Sequence, residues 1–345
     1  MDKSIGDKPG VAILAAKPAI SVAICTYQRY DLIEGVLRAV TAQVESFANY
    51  EILLIDNTPD PDRSLVEYRR HRATPHMRWV HEPRRGLSCA RNRAIAESEA
   101  PIIAFLDDDA VPGPGWMAQI IAAFDMFGAD ALAVGGRVTP VWLGPRPSWL
   151  GDGLLQYLSI TDLGERPRVL DDREWIVGAN MAMRRSVFDN INLFPEHLGR
   201  KGSGATLLSN DETALLQQIR DSGGLIGYAP EASCGHLIDP ARLSQSWFRR
   251  RLAWQAVSDY LEDPAASAVR AGASWEWLTD FLVRLPASQR SYRGLLSEMA
   301  EPDMLEHQIN AVYNAAICLL NGVELDDFEP APPTPPAPAR KSRKR

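Results

Sequence analysis

Short, almost wholly apolar runs recur through the first 140 residues, and stretches with helical spacing separate them. "ISVAIC" (20–25), "YEILLIDN" (50–57), "MRWVHE" (77–82) and "PIIAFLDDD" (101–109) each read as a strand. Where polar alternation is missing, such a run fits a strand covered on both faces, as in a parallel sheet. Between the strands, Leu32, Val36, Leu37 and Val40 recur at helical spacing. "SCARNRAIAES" (88–98) reads as a helix, and Trp116, Ile120, Ile121, Phe124 and Phe127 line another helical face. "ALAVGGRV" (131–138) closes this half as one more strand. Strands alternating with helices over this length predict an α/β fold, a mostly parallel, Rossmann-like sheet flanked by helices.

In such sheets ligands gather outside the carboxyl ends of the strands. Thr26, Asp56 and Asp107–Asp109 all lie just past those ends, on separate strands, so one rim collects them. Three adjacent carboxylates repel one another and lose hydration when buried. Either they form a solvated turn, or they hold a cation that offsets the repulsion.

The chain has 345 residues and a net charge of −7. Of its 37 basic residues, five sit in "APPTPPAPARKSRKR", which leaves 32 basic against 44 acidic residues in the body. An acidic body disfavours nucleic acid as the main partner, because binding the phosphate backbone needs a basic face. Cys25, Cys89, Cys234 and Cys318 show no C-x-x-C spacing, which disfavours a zinc knuckle or a disulfide frame. "GVAILAAKPAI" is broken by Lys17 and Pro18 too early for a signal peptide, and no run approaches the ~20 apolar residues of a membrane span. These features point to the cytoplasm.

Residues 140–175 are rich in Pro, Gly and Trp and read as irregular, suited to a lid or an acceptor loop. "WIVGANMAMRRSVF" resumes strand and then helical patterning. "SNDETALLQQIRDSG" opens a helix with Leu215, Leu216 and Ile219 on its apolar face. Amphipathic helices follow over Leu243–Leu261 and around Leu305–Leu320.

The order "SVAICTYQRYDLI", "EILLIDNTPD", "RRGLSCARNRAI", "IIAFLDDDAVPGPGWM", "GANMAMRR", "SNDETALL", "GHLID" resembles glycosyltransferase family 2, the inverting, metal-dependent enzymes of the GT-A fold. The resemblance spans roughly residues 19 to 255. It implies a transfer of the hexosyltransferase type, from a nucleotide diphosphate sugar, with UDP the favoured nucleotide, to an acceptor hydroxyl in polysaccharide or glycoconjugate synthesis. With it the chain divides into four expected regions: an N-terminal extension (1–18), a GT-A catalytic domain (19–240), a helical C-terminal region (241–325) and a Pro/Ala-rich, basic tail (326–345) whose composition predicts disorder. The tail could touch the inner face of a membrane weakly, where lipid-linked acceptors would lie.

Residue by residue, the resemblance assigns Asp109 to the metal, Mn²⁺ or Mg²⁺, and Asp107 and Asp108 to the donor nucleotide near the ribose. A hard divalent cation on carboxylates would neutralise the leaving diphosphate. Thr26, Tyr27, Arg29, Asp56 and Arg91 also fall on the nucleotide side, with Asp56 placed to accept the uracil N3–H. His236 is a candidate further metal ligand, and imidazole suits Mn²⁺ better than Mg²⁺. Asp211 is the candidate general base, because the family's usual Glu-Asp pair reads Asn210-Asp211 here. Gly178, Ala179, Asn180 and Glu212 fall near the donor sugar or acceptor. Arg250 and Arg251 are candidates for clamping the diphosphate.

Two other readings stay open. A nucleotidyltransferase of sugar phosphates shares the sheet and acidic rim, but "CTYQRYD" lacks the glycines of a phosphate loop. A non-catalytic sugar-nucleotide binder on the same fold would not need the full acidic set.

Overall fold

The computed structural model describes residues 17–45, 49–202, 204, 206–286 and 289–325. Most of the expected N-terminal extension, and the basic tail with its expected disorder and membrane contact, lie outside the described residues.

Each apolar run forms its strand. These are β1 (Ile20–Thr26), β2 (Tyr50–Asp56), β3 (Met77–His81) and β4 (Ile102–Asp107). In β1, Ile20, Val22 and Ile24 are fully buried, each worth roughly 2 kcal/mol of apolar transfer. The helices between are α1 (Tyr30–Thr41), α2 (Pro61–His71), α3 (Leu87–Glu97) and, after the short β5 (Ala110–Pro112), α4 (Trp116–Phe127). Asp60 starts α2: its side chain accepts from the amides of Asp62 and Arg63, and Pro61 takes the first helical position.

The segment 131–138 departs from the single strand that its composition predicts. It splits into β6 (Ala131–Gly135) and β7 (Val138–Trp142), which join different sheets. The cause is packing at the glycine pair. A Cβ on Gly136 would lie 1.7 Å from the carbonyl oxygen of Ala232, and one on Gly135 would lie 2.4 Å from the side chain of Ile176. Two glycines let the chain turn where any side chain would clash.

The later strands are β8 (Arg168–Val169), β9 (Asn180–Arg184), β10 (Leu225–Tyr228) and β11 (Cys234–Ile238). The large sheet runs β3-β2-β1-β4-β9-β6-β10-β8. Its first four strands are parallel neighbours, as expected. β9 lies antiparallel to both β4 and β6, so the sheet is mixed beyond β4. A small sheet, β5-β11-β7, stands apart from it.

By contacts the chain forms two units. The first comprises residues up to Thr139, Asp162–Phe194 and Leu215–His236. Its core packs Leu53, Ile55, Phe105, Met181 and Ile226 of the sheet with Ala94 and Ile95 of α3. The second comprises Pro140–Thr161, Pro195–Ala214 and the residues from Leu237. It is built on α6 (Gln245–Glu262), α7 (Pro264–Arg284) and α8 (Pro302–Leu320). Leu154, Phe248, Leu252, Leu305 and Ile309 form one of its cores, and Leu278, Leu282, Ala311 and Cys318 form another. α5 (Asp211–Asp221) has the expected buried face of Leu215, Leu216 and Ile219.

None of the four cysteines forms a disulfide. Among the described residues no helix is long and apolar enough to cross a membrane.

Candidate functional site

The parallel register brings the rim together. Thr26 stands opposite Asp56 across β1 and β2, and Cys25 stands opposite Asp107 across β1 and β4. Three neighbouring strands therefore end at one level. Directly after β4 the chain turns into β5, and β11 pairs with β5 so that His236 faces Ala110. That pairing delivers the imidazole beside Asp109, with Nε2 3.0 Å from Asp109 Oδ1.

Asp107, Asp109 and His236 each offer one ligand atom, all within 4.8 Å of one another. Two hard oxygens and one imidazole nitrogen fit a divalent cation, and the nitrogen favours a transition ion over Ca²⁺. Geometry thus groups Asp107 with the metal candidates. Asp108 turns elsewhere: Thr26 Oγ1 donates to its Oδ2 and Arg29 Nη1 to its Oδ1, both at 2.8 Å. The other prong of the guanidinium, Arg29 Nη2, donates to Asp109 Oδ2 at 2.8 Å. Burial opposes charge on Arg29, but Asp108, Asp109 and Asp107 outweigh it and raise its pKa above the ordinary range. Burial likewise pushes the Asp108 carboxyl up to about 7; Arg29 and Thr26 work against that shift, and Asp109 and Asp107 add to it.

Arg91 is buried, with Nη2 3.6 Å from Asp107 Oδ1 and its guanidinium over the ring of Phe194. Gly178 makes room for it, since a Cβ there would lie 2.2 Å from Arg91 Nη2. Asp56 is fully buried at the end of β2. Its carboxylate accepts from the Tyr30 hydroxyl at 3.1 and 3.2 Å and from the Thr58 amide at 3.0 Å. Tyr27 is half-buried beside this rim, and Ala179 is buried. Asn180 accepts from Trp116 Nε1 at 2.8 Å and donates to the Ala232 carbonyl at 2.7 Å. Its amide is engaged within the first unit.

Asp211, Glu212, Arg250 and Arg251 belong to the second unit. Asp211 opens α5 and is 1% exposed. The residue before it has a left-handed backbone, with Asn210 at φ 71°, a region that asparagine tolerates better than glutamate. Asn210 Nδ2 donates to Asp259 Oδ1 at 2.8 Å and to Glu262 Oε2 at 2.7 Å, and its Oδ1 accepts from Gln255 Nε2 at 2.7 Å. A carboxylate at this position would meet two others. That accounts for asparagine where the family pattern has glutamate. Arg250 and Arg251 diverge: Arg250 is exposed on α6, whereas Arg251 is buried over the ring of Tyr157.

Sequence reasoning missed the Tyr30–Asp56 pair and the acceptors around Asn210. Tyr30 follows the first strand closely and was open to notice. The partners on α6 lie some fifty residues away, and no spacing rule links them.

Residues 21–191 match the profile described as Glycosyl transferase family 2. The chain belongs to this family. It is therefore a glycosyltransferase, and the α/β architecture implied by the resemblance is the one observed. Among curated relatives, it is 23% identical over 246 residues to the glucosyl-dolichyl phosphate glucuronosyltransferase of Haloferax volcanii, covering 71% of this chain and 77% of that one. It is 27% identical to the succinoglycan biosynthesis protein ExoM of Rhizobium meliloti, covering 67% of this chain and 71% of that one. Among solved structures it is similar to a mannosyltransferase, PcManGT, of Pyrobaculum calidifontis in complex with GDP-Man and Mn²⁺. The TM-score is 0.49 at 15% identity, covering 89% of this chain and 73% of that one.

Proposed function

We propose that this family 2 enzyme is metal-dependent and transfers a sugar, with inversion, from a nucleotide diphosphate donor to an acceptor hydroxyl. The observation that carries the reading is the convergence of Asp107, Asp109 and His236. These three would hold a divalent cation, Mn²⁺ or Mg²⁺, whose charge would offset that of the diphosphate as the glycosidic bond breaks. Thr26 and Arg29 fix Asp108 on the nucleotide side, and Arg91 holds Asp107. Asp56 is the candidate for reading the base: a carboxylate suits a base that presents an N–H, and the Tyr30 hydroxyl and the Thr58 amide orient that carboxylate. UDP-sugars are therefore the first donors to test.

Asp211 takes the proton of the acceptor hydroxyl in this reading. A carboxylate at a helix start is pre-positioned, and Asn210 cannot act as a base. The names of the relatives, one a transferase to a glucosyl-dolichyl phosphate and one a protein of succinoglycan biosynthesis, favour a lipid-linked or glycan acceptor.

Calorimetry of UDP- and GDP-sugars with and without Mn²⁺ tests the donor half. Binding is expected to need the metal in the wild type and to be lost in Asp109→Ala; the variant's melting midpoint without metal, read beside it, reports the balance between the repulsion relieved and the Arg29 and His236 contacts given up. Unchanged Mn²⁺-dependent affinity in that variant overturns the assignment.

A further inference from the structure

One buried cation in the second unit lacks the partners its geometry calls for. Arg251 is 7% exposed, and its Nε and Nη1 have no hydrogen-bond partner. Only Nη2 is engaged, donating to Gln255 Oε1 at 2.9 Å, while the Tyr157 ring lies 5.8 Å beneath the guanidinium carbon. A buried guanidinium with two idle donors is costly unless something answers it. Arg200 and Arg242, in the same unit, are further cations near it, while Glu212 and Asp259 act on Arg251 in the opposite sense. Burial, and then Arg251 and Arg242, push Arg200 down to about 9, against the opposing pull of Glu212 and Asp211.

The position of this fork relative to Asp211 is fixed by hydrogen bonds. Arg251 holds Gln255, Gln255 Nε2 donates to Asn210 Oδ1 at 2.7 Å, and Asn210 immediately precedes Asp211. The idle donors thus sit two hydrogen bonds from the residue before the candidate base. A general base faces the acceptor, on the side opposite the leaving group, so an anion held beside it belongs to the acceptor.

We propose that Arg251, supported by Arg200 and Arg242, seats an oxyanion of the acceptor, so that the acceptor carries a phosphate or carboxylate close to its reacting hydroxyl. The planar fork of arginine matches both groups through paired N–H donors. This inference rests on the reading of Asp211 as the base and adds to it the chemical class of the acceptor.

The test uses the full chain without donor or metal. Inorganic phosphate is expected to bind the wild type and raise its melting midpoint, and Arg251→Gln should weaken that binding tenfold or more. Without ligand the variant gives up only the Nη2–Gln255 bond and the contact with the Tyr157 ring, and its melting midpoint, measured beside the wild type, shows that a loss of phosphate binding is not a loss of fold. Arg251→Lys, which keeps the charge but not the fork, should fall between the two. Glucose 1-phosphate and glucuronate then separate the two oxyanions, and binding of either that depends on Arg251 supports the seat. Phosphate binding that is the same in Arg251→Gln and wild type overturns it. UDP affinity in Mn²⁺ should be unaffected by Arg251→Gln; a tenfold loss there would assign the fork to the donor diphosphate and overturn the acceptor assignment. Asp211→Asn should bind phosphate like the wild type. If it also transfers sugar at the wild-type rate, the base reading fails and takes the acceptor assignment with it, while Arg251-dependent phosphate binding remains a separate result.

Discussion

Two charged regions of the molecule solve opposite problems. At the rim of the first unit, three adjacent aspartates are answered from within the protein: Arg29 spans Asp108 and Asp109, Arg91 approaches Asp107, and His236 meets Asp109. In the second unit, α6 buries the Arg251 guanidinium with two donors unanswered. The rim is organised before any ligand arrives, and a cation there would take over carboxylate oxygens that other groups now hold. The region around Arg251 instead keeps an excess of donors. Preorganised carboxylates suit a recurrent cofactor, whereas idle donors suit a ligand that comes and goes.

The largest effect expected from disturbing either region is on the reaction. Asp211→Asn keeps size and reach but cannot accept a proton at neutral pH. Transfer should fall by about 10² to 10⁴, the usual contribution of a positioned base, with kcat dropping more than the donor KM rises. Glu212→Gln is the control and should cost far less. If the control is the crippling change, the base lies one residue later in α5.

Asn210→Asp comes next and probes stability in the second unit. It replaces a double donor with a carboxylate facing Asp259 and Glu262, whose oxygens lie 2.8 and 2.7 Å from the present amide. The loss should be about 2–4 kcal/mol at pH 7. Crowding raises the pKa of carboxyls that must share a site. A group whose pKa is raised by folding favours the folded state at low pH and loses that contribution as pH rises. The deficit should therefore shrink on acidifying to pH 5, as measured by urea denaturation at both values. A deficit independent of pH would show that the lost donors, not the added charge, are responsible.

The smallest effect belongs to the first unit. In Gly178→Ala the new Cβ meets Arg91 Nη2 at 2.2 Å, the movable end of a side chain. A cost of about 1–3 kcal/mol in melting experiments is expected. Donor binding should weaken with it if Arg91 must keep its place beside Asp107.

The parts legible in the sequence are those that local pattern controls. β1 to β4, α3, α4 and α5 come from apolar periodicity within single elements, and the rim follows because parallel strands end together. His236 was nameable but not placeable, because its position beside Asp109 depends on β11 pairing with β5 more than a hundred residues earlier. The break of 131–138 at Gly135 and Gly136 was equally hidden, since it arises from the close approach of Ile176 and Ala232. The identity of residue 210 reads as a departure from the family pattern until α6 is seen supplying two carboxylates to it. α7 carries no feature that announced it separately from its neighbours.

The place of β9 in the large sheet has a consequence for how the chain comes to be folded. β4 and β6 are complete in sequence by Gly135, yet β9, which lies between them, begins at Asn180. Until some forty-five further residues have emerged from a ribosome, neither strand has its partner on that side. Both then present open, apolar edges of the kind that pair with other chains. Fragments ending near residue 140 should therefore self-associate, and early synthesis of this enzyme is a stage at which a chaperone that covers strand edges would matter most.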